Sequence, residues 1–119
     1  MARFTMTAEQ EAALDAAEVA REREAAALVE SQTVWESEID MDAYARLRIT
    51  WQNAVEERTQ IAYQGGASVK RRRDAQRAVI QASNALDALT RLADIRKGYR
   101  DADIHTAYLA EVRALGFRG

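Results

Sequence analysis

The clearest periodic pattern of apolar residues lies between residues 68 and 97. Apolar positions there recur three and four apart, like a heptad seam, and further apolar positions widen the stripe. The seam consists of Val79, Ala82, Leu86, Leu89 and Ala93, and the widening positions are Ala85, Ala88, Leu92 and Ile95. The pattern predicts a helix from a Ser68 cap to about Lys97, with Gly98 as its C-terminal stop.

A shorter apolar pattern follows Gly98 and predicts a last helix from Asp101 to about Leu115. Its buried face would consist of Ile104, Tyr108, Val112 and Leu115. Gly116 and Phe117 fit a Schellman end, in which Phe117 contacts Val112. This segment is therefore predicted to be a short, separate helix.

The first helix of the chain has a weaker pattern. A capping box of Thr7 and Gln10 predicts a start at Ala8, and nothing obvious breaks the helix before about Thr33. Large apolar residues are scarce along it, and its alanine-rich face contains Ala13, Ala16, Ala17 and Ala20. That face suits either shallow packing within the chain or contact with another subunit.

A second helix is predicted to open near Asp40, with Asp40 or Asp42 as its cap. Its apolar stripe contains Tyr44, Leu47, Trp51 and Val55, and Arg58 lies on the same side. We interpret Tyr44 and Trp51 as core residues rather than ligand-stacking residues. Trp35, on the segment before this helix, is expected at a surface joint.

The glycine pair Gly65-Gly66 separates the second and third patterns. Alternating Ile61 and Tyr63 before the pair, and Ala67 and Val69 after it, allow a minimal β-hairpin over residues 60–69. A turn between two helices explains the glycines as well. We favour the helix turn, because flanks this short do not make a stable two-stranded ribbon alone.

The predicted fold class is mainly α, with three longer helices and a short C-terminal one. We expect a single domain over residues 1–119, with residues 1–38 as a helical arm available for docking on a partner. The apolar residues include 25 alanines, which leaves 32 larger ones among 119 residues. So thin a core suggests that association with other chains adds to stability.

Charge divides the chain at its middle. Residues 1–59 carry 6 Arg against 13 Asp and Glu, and residues 60–119 carry 11 Lys and Arg against 6 Asp and Glu. A net charge of −2 for the whole chain hides this polarity. A bipolar surface suggests electrostatically paired neighbours, whether the two halves, copies of the chain or a second partner.

A cluster of cations follows the glycine pair and is the candidate functional patch: Lys70, Arg71, Arg72, Arg73 and Arg77. Consecutive residues fan around a helix, so only Arg73 with Arg77, or Lys70 with both, share a face. Cations in the first turn oppose the helix dipole, at a cost of roughly a few tenths of a kcal/mol each. We therefore expect negative charge from a partner to offset them.

Several sources of that negative charge stay open. One is the acidic group of the first half, Glu36, Glu38, Asp40 and Asp42. The others are an acidic neighbouring subunit and nucleic-acid phosphates, and a simply solvated face is the remaining alternative. We favour a protein partner, because the pI is near 5.5 and no aromatic residues interleave the cluster.

Residue patterns for catalysis or metal binding are weak. The chain has no Cys, and its lone histidine, His105, has only Asp101 at helical spacing, which is too few ligands for a metal site. No serine lies in a nucleophile-elbow context, and the Gly65-Gly66 segment does not match a phosphate-binding motif. We expect no enzymatic activity, no metal and no cofactor.

One segment resembles a known family. The order Ile61-x-Tyr63-x-Gly65-Gly66-x-Ser68-Val69-x-Arg71-Arg72, followed by a helix from Asp74 to Leu89, is similar to the small W-type head-to-tail joining proteins of tailed bacteriophages. The resemblance implies two antiparallel helices around a short hairpin. It also implies a ring-forming subunit at the portal-proximal neck that touches its own copies and DNA.

These observations lead to an expected function of structural assembly. The leading hypothesis is a non-enzymatic protein that forms a homo-oligomer or joins other virion proteins through its helices. The alternatives are a nucleic-acid-associated regulator that uses residues 70–77, and a small inhibitor or adaptor that binds a host protein through its acidic half. Because no signal-peptide pattern and no 18-residue apolar run occur, we expect a location in the virion or host cytoplasm, without membrane contact.

Overall fold

The computed structural model describes residues 5–117, and most of them are helical. In chain order the helices are α1 (Ala8–Ser37), α2 (Met41–Gln64) and α3 (Val69–Ala114). No β-strand occurs in residues 5–117. The mainly helical class predicted from the sequence is confirmed.

All three helices begin at the caps that the sequence predicts. The Thr7 hydroxyl accepts from the Gln10 amide at 3.1 Å, and the Gln10 side chain accepts from the Thr7 amide at 2.9 Å. Asp40 and Ser68 each accept from the amide three residues further on, at 3.1 Å. Each cap satisfies an amide that would otherwise lack a partner in the first turn.

The separate C-terminal helix predicted from Asp101 is wrong, because α3 continues through Gly98 to Ala114. Gly98 has no positive φ and therefore does not adopt the left-handed conformation of a helix stop. Glycine inside a helix costs only about 1 kcal/mol relative to alanine, which packing on either side outweighs. The helix instead ends at the predicted Schellman motif, in which the Phe117 amide donates to the Val112 carbonyl at 3.3 Å.

The minimal hairpin proposed as an alternative for residues 60–69 is also wrong. Helix α2 extends through Gln64, and Gly65 and Gly66 form the turn with φ of 66° and 71°. Ile61 is 4% exposed and Tyr63 is 87% exposed. Ile61 and Tyr63 are two positions apart, and residues at that spacing face nearly opposite sides of a helix as well as of a strand. Their alternation therefore fits both a hairpin and a helix.

The chain divides into two compact units. One, here called the terminal unit, comprises Met1–Val34 and Arg96–Gly119; the other, the hairpin unit, is Trp35–Ile95. In the hairpin unit, α2 and the first part of α3 run antiparallel, because Trp35 contacts Asp94 and Arg58 contacts Gln76.

The core of the hairpin unit follows the predicted stripes. Its buried apolar residues are Ile39, Ile61, Ala75, Val79, Ala82 and Ala93, and the α2 stripe from Tyr44 to Arg58 is half-buried. Three of the predicted widening positions, Ala88, Leu92 and Ile95, are exposed instead. The packed face of α3 is therefore the narrower seam, which is the geometry of a single helix-helix contact.

The terminal unit packs the alanine-rich face of α1 against the last part of α3. Ala20 is buried, Ala13, Ala16 and Ala17 are half-buried, and Ser31 is the buried polar residue of α1. Helix α1 and the last part of α3 are antiparallel, because Arg23 contacts Glu111 and Ser31 contacts Asp101. Of the two uses expected for this alanine face, the structure shows packing within the chain.

Candidate interaction surface at the start of the third helix

The first turns of α3 present a shallow groove on their exposed side. It is lined by Val69, Arg72, Arg73, Gln76, Arg77 and Ile80. These positions repeat at three- and four-residue steps and therefore form one face of the helix. We call this face the basic stripe. The stripe places three guanidinium groups between two aliphatic residues.

The basic stripe is open to solvent and electrostatically unbalanced. Val69 at one end is 55% exposed and Ile80 at the other is 49% exposed. Within residues 5–117, the side chains of Arg72, Arg73 and Arg77 form no ion pair. The first turn of α3 also contains no acidic residue to complement the helix dipole. This surface therefore retains the full attraction of its cations for an external anion.

The rest of the predicted cation cluster does not join this face. Arg71 points to another groove, which also contains Glu56 and Glu57 of α2. Lys70 is exposed and lines neither groove. The structure thus brings Arg73 and Arg77 together with Arg72, and it separates Lys70 and Arg71 from them. This grouping differs from the predicted one, which placed Lys70 rather than Arg72 on the face of Arg73 and Arg77.

The acidic group proposed as an internal partner lies at the other end of the hairpin unit. Asp40 caps α2, Asp42 lies in its first turn, and Glu36 and Glu38 immediately precede it. Helix α2 has 24 residues and spans roughly 36 Å. The basic stripe begins after the opposite end of that helix. No ion pair within residues 5–117 joins the cluster to these four acids, and their role in binding a partner stays a prediction.

A hydrogen-bond network fixes Trp35 at the acidic end of the hairpin unit. The indole N–H of Trp35 donates to Asp94 at 2.7 Å, and the Thr90 hydroxyl donates to the other Asp94 oxygen at 2.9 Å. The Trp35 ring meets Tyr44 edge-on, with ring centroids 5.7 Å apart. Trp35 lies in the last turn of α1 rather than on a link. Trp35 and Tyr44 thus have packing partners, in line with a structural role.

A polar cluster in the terminal unit connects α1 to α3. Buried Ser31 donates to Asp101 at 2.7 Å, and Lys97 donates to the other Asp101 oxygen. These hydrogen bonds, from Lys97 first and Ser31 second, hold the pKa of Asp101 below its ordinary value. Arg100 also reaches the Ser31 hydroxyl, at 3.4 Å. The cluster satisfies buried polar atoms and offers no accessible nucleophile, because Ser31 is shielded from solvent.

The single histidine belongs to the same unit. His105 Nδ1 lies 3.3 Å from Glu24, and its ring stacks on Tyr108 with centroids 6.2 Å apart. No group of three or more potential metal ligands occurs within residues 5–117. Asp101, four residues before His105, is hydrogen-bonded to Lys97 and Ser31.

Sequence reasoning missed a second charged stripe, on α1. Its residues are Glu11, Asp15, Glu18 and Glu22, all exposed and without an ion pair in residues 5–117. Their spacing of four, three and four places them on one face, opposite the buried Ala20. We call this face the acidic stripe. The spacing is visible in the sequence, where acidic residues near a helix start also fit a role as complements to the helix dipole.

Comparison of the chain with protein-family models, curated proteins and solved structures finds no match. None of the helices within residues 5–117 is long and apolar enough to cross a membrane. The charged surfaces described above are therefore the basis for a functional proposal.

Proposed function

We propose that this chain is a non-enzymatic structural protein that assembles with copies of itself through its helices. The observation that carries the proposal is the unbalanced basic stripe. Its three arginines have no carboxylate partner in residues 5–117, and the acids at the start of α2 lie roughly a helix length away. An external acidic surface would remove this imbalance.

The composition of the stripe supports a protein partner. Arginine is enriched at protein interfaces, where its planar guanidinium binds carboxylates with two parallel hydrogen bonds. Exposed Val69 and Ile80 add apolar area at both ends of the cationic patch. The small core also supports assembly with a protein partner. Four of the seven buried apolar residues within residues 5–117 are alanines, which bury little surface. Burial of more apolar surface in an assembly would add to stability.

Sedimentation velocity over a wide range of protein concentration tests the proposal. We expect the weight-average mass to rise with concentration at low salt, and association to weaken when salt screens the charged contacts. The same series at roughly 1 M salt, where the Debye length is about 3 Å, provides the matched condition. A compact monomer at every concentration in low salt would contradict self-assembly.

A finer proposal is that the assembly is the head-to-tail connector of a tailed bacteriophage, in the virion or in the infected cell. It rests on the resemblance of residues 61–89 to the W-type joining proteins. Antiparallel packing of α2 and α3 agrees with the helical part of that resemblance, whereas its β-hairpin is replaced by the Gly65-Gly66 turn. Detection of the chain in purified particles, beside portal and tail proteins, tests it. Its absence from them would contradict the connector role.

A second candidate, nucleic-acid binding, is favoured by one feature of the hairpin unit. Tyr63, at the end of α2 next to the glycine turn, is 87% exposed. An exposed aromatic ring near cations is a feature of single-strand binding sites. If this candidate is correct, Arg71→Ala, Arg72→Ala and Arg73→Ala together should flatten the salt dependence of DNA or RNA binding. No measurable binding at about 50 mM salt would exclude it.

A further inference from the structure

Two exposed charged stripes of opposite sign occur on different helices, and their dimensions match. The acidic stripe runs from Glu11 to Glu22, and the basic stripe runs from Val69 to Ile80. Each spans eleven residue steps, or roughly 16 Å of helix. Four carboxylates on one face thus correspond to three guanidinium groups on the other.

Apolar side chains accompany both stripes. On α1, exposed Leu14 lies one turn from Glu11 and Glu18, and exposed Val19 lies one turn from Asp15 and Glu22. On α3, Val69 and Ile80 lie at the two ends of the cations. A helix-helix contact through these faces would therefore combine charge pairing with burial of aliphatic surface. Combinations of this kind set partner choice along coiled-coil edges.

Neither stripe has a partner of opposite charge among the residues that the structure describes. No ion pair links any of the seven charged residues to a partner in residues 5–117. A second copy of the chain supplies both surfaces at equal concentration.

We propose that the acidic stripe of one copy docks on the basic stripe of another. This inference rests on the proposed self-assembly and names the surfaces that would carry it. Single exposed ion pairs are weak, so the contact depends on several arginine-carboxylate pairs acting together with the aliphatic residues beside them. Opposite charges also make the contact selective, because two acidic stripes or two basic stripes repel.

Charge exchange between the stripes tests the inference. One variant carries Glu18→Arg and Glu22→Arg, and a second carries Arg73→Glu and Arg77→Glu. In the first variant the acidic stripe carries two carboxylates and two guanidinium groups, and in the second the basic stripe carries two carboxylates and one guanidinium group. Neither variant keeps both complementary stripes, so we expect self-association to weaken by at least roughly tenfold in sedimentation velocity. A 1:1 mixture of the two, with one fluorescently labelled, should restore a mixed species. Restoration only in the mixture identifies a contact between copies.

A matched control for the second variant reverses two arginines outside the stripe, Arg46→Glu and Arg91→Glu, and changes the net charge by the same amount as Arg73→Glu with Arg77→Glu. It should assemble like the original chain. Circular dichroism checks that each variant folds, and Arg73→Gln with Arg77→Gln is a milder second form that should also weaken association.

Three results would overturn the inference. If both stripe variants assemble as well as the original chain, other surfaces join the copies and the proposed function stands without this contact. If the control variant weakens association equally, net charge rather than the stripe is responsible. If the original chain stays monomeric while a single-stranded oligonucleotide binds it and Arg73→Glu with Arg77→Glu abolishes that binding, the occupant is nucleic acid. Both proposals would then fail.

Discussion

The terminal unit and the hairpin unit pack their helices with different chemistry. In the terminal unit the buried residues of α1 are small, Ala20 and Ser31, and polar pairs such as Arg23 with Glu111 cross between the helices. In the hairpin unit, larger aliphatic side chains, Ile39, Ile61 and Val79, are buried. Helix α3 contributes to both units. One helix can therefore pack by close approach of small residues along one part and by aliphatic burial along another.

The difference suggests that the two units respond to opposite kinds of substitution. The hairpin unit should be sensitive to loss of volume, and the terminal unit should be sensitive to gain of volume. Both tryptophans, Trp35 and Trp51, belong to the hairpin unit. Tryptophan emission therefore follows that unit, while hydrogen exchange of individual amides follows the terminal unit.

The largest effect is expected for Ile61→Ala in the hairpin unit. Ile61 is 4% exposed, and truncation of a buried isoleucine typically lowers the free energy of unfolding by roughly 2–5 kcal/mol. Urea denaturation followed by tryptophan emission measures the change. Ile49→Ala is the matched control, because Ile49 lies on the same helix and is 58% exposed. Equal losses for both variants would contradict a core role for Ile61.

A smaller loss is expected for Ala20→Leu in the terminal unit. Ala20 is buried beside Ala107 and Tyr108 of α3, so extra methyl groups would push the helices apart. Overpacking of this kind costs typically about 1–3 kcal/mol. Hydrogen exchange should speed up in the last part of α3. Ala25→Leu, on the exposed side of α1, should leave exchange unchanged, and no change at Ala20 would indicate loose packing there.

A gain in stability is expected for Gly98→Ala. Gly98 lies inside α3, and a Cβ built there meets no atom within 4 Å. Alanine in a helix interior is favoured over glycine by roughly 0.5–1 kcal/mol. Thermal unfolding should show a higher midpoint. A loss of stability would mean that α3 breaks at this residue in solution, as the sequence pattern predicts.

The smallest effect is expected for the contribution of Asp101 to stability, which depends on pH. Its pKa in the folded chain lies below the ordinary value of 3.8, because Lys97 and Ser31 donate hydrogen bonds to the carboxylate. The interaction therefore stabilises the fold above pH 3.8 and is lost as pH falls through the lowered pKa. Asp101→Asn should reduce stability near neutral pH and by less in acid. Urea midpoints of both chains against pH measure this, and a constant gap would contradict it.

Local signals predict the helix caps well. Thr7, Asp40 and Ser68 cap their helices through hydrogen bonds to amides three residues away, so the information lies within one turn of sequence. The Schellman end at Gly116 is equally local. Such features depend little on the rest of the fold and can be predicted from the sequence alone.

The continuity of α3 could not be predicted in this way. Gly98 is typical of a helix stop, and the apolar stripe does not argue against one, because Lys97, Arg100 and Asp101 interrupt it after Ala93. The structure fills the gap with Ser31 of α1, which hydrogen-bonds Asp101 and Arg100. A polar position in a packed face is understandable only once its partner, seventy residues away, is known.

The candidate surface was predicted in part. Cations at residues 70–77 are obvious in the sequence, and helical geometry pairs Arg73 with Arg77. That Arg72 rather than Lys70 joins this pair in the groove was not predicted. Their distance from Glu36, Glu38, Asp40 and Asp42 depends on the length of α2 and on the position of the turn. The acidic stripe on α1 is not distinctive in the sequence, because acidic residues also fit a local role near a helix start.

The turn between α2 and α3 has a backbone conformation at Gly65 that distinguishes D-amino acids from L-amino acids. Gly65 combines φ of 66° with ψ of 161°, a region that L-amino acids other than glycine essentially do not enter. An added Cβ would meet no neighbour within 4 Å, so the backbone alone imposes this restriction. A D-amino acid has the mirror-image preferences and suits this conformation. In a semisynthetic chain, D-alanine at residue 65 should therefore stiffen the turn and stabilise the hairpin unit, whereas L-alanine should destabilise it.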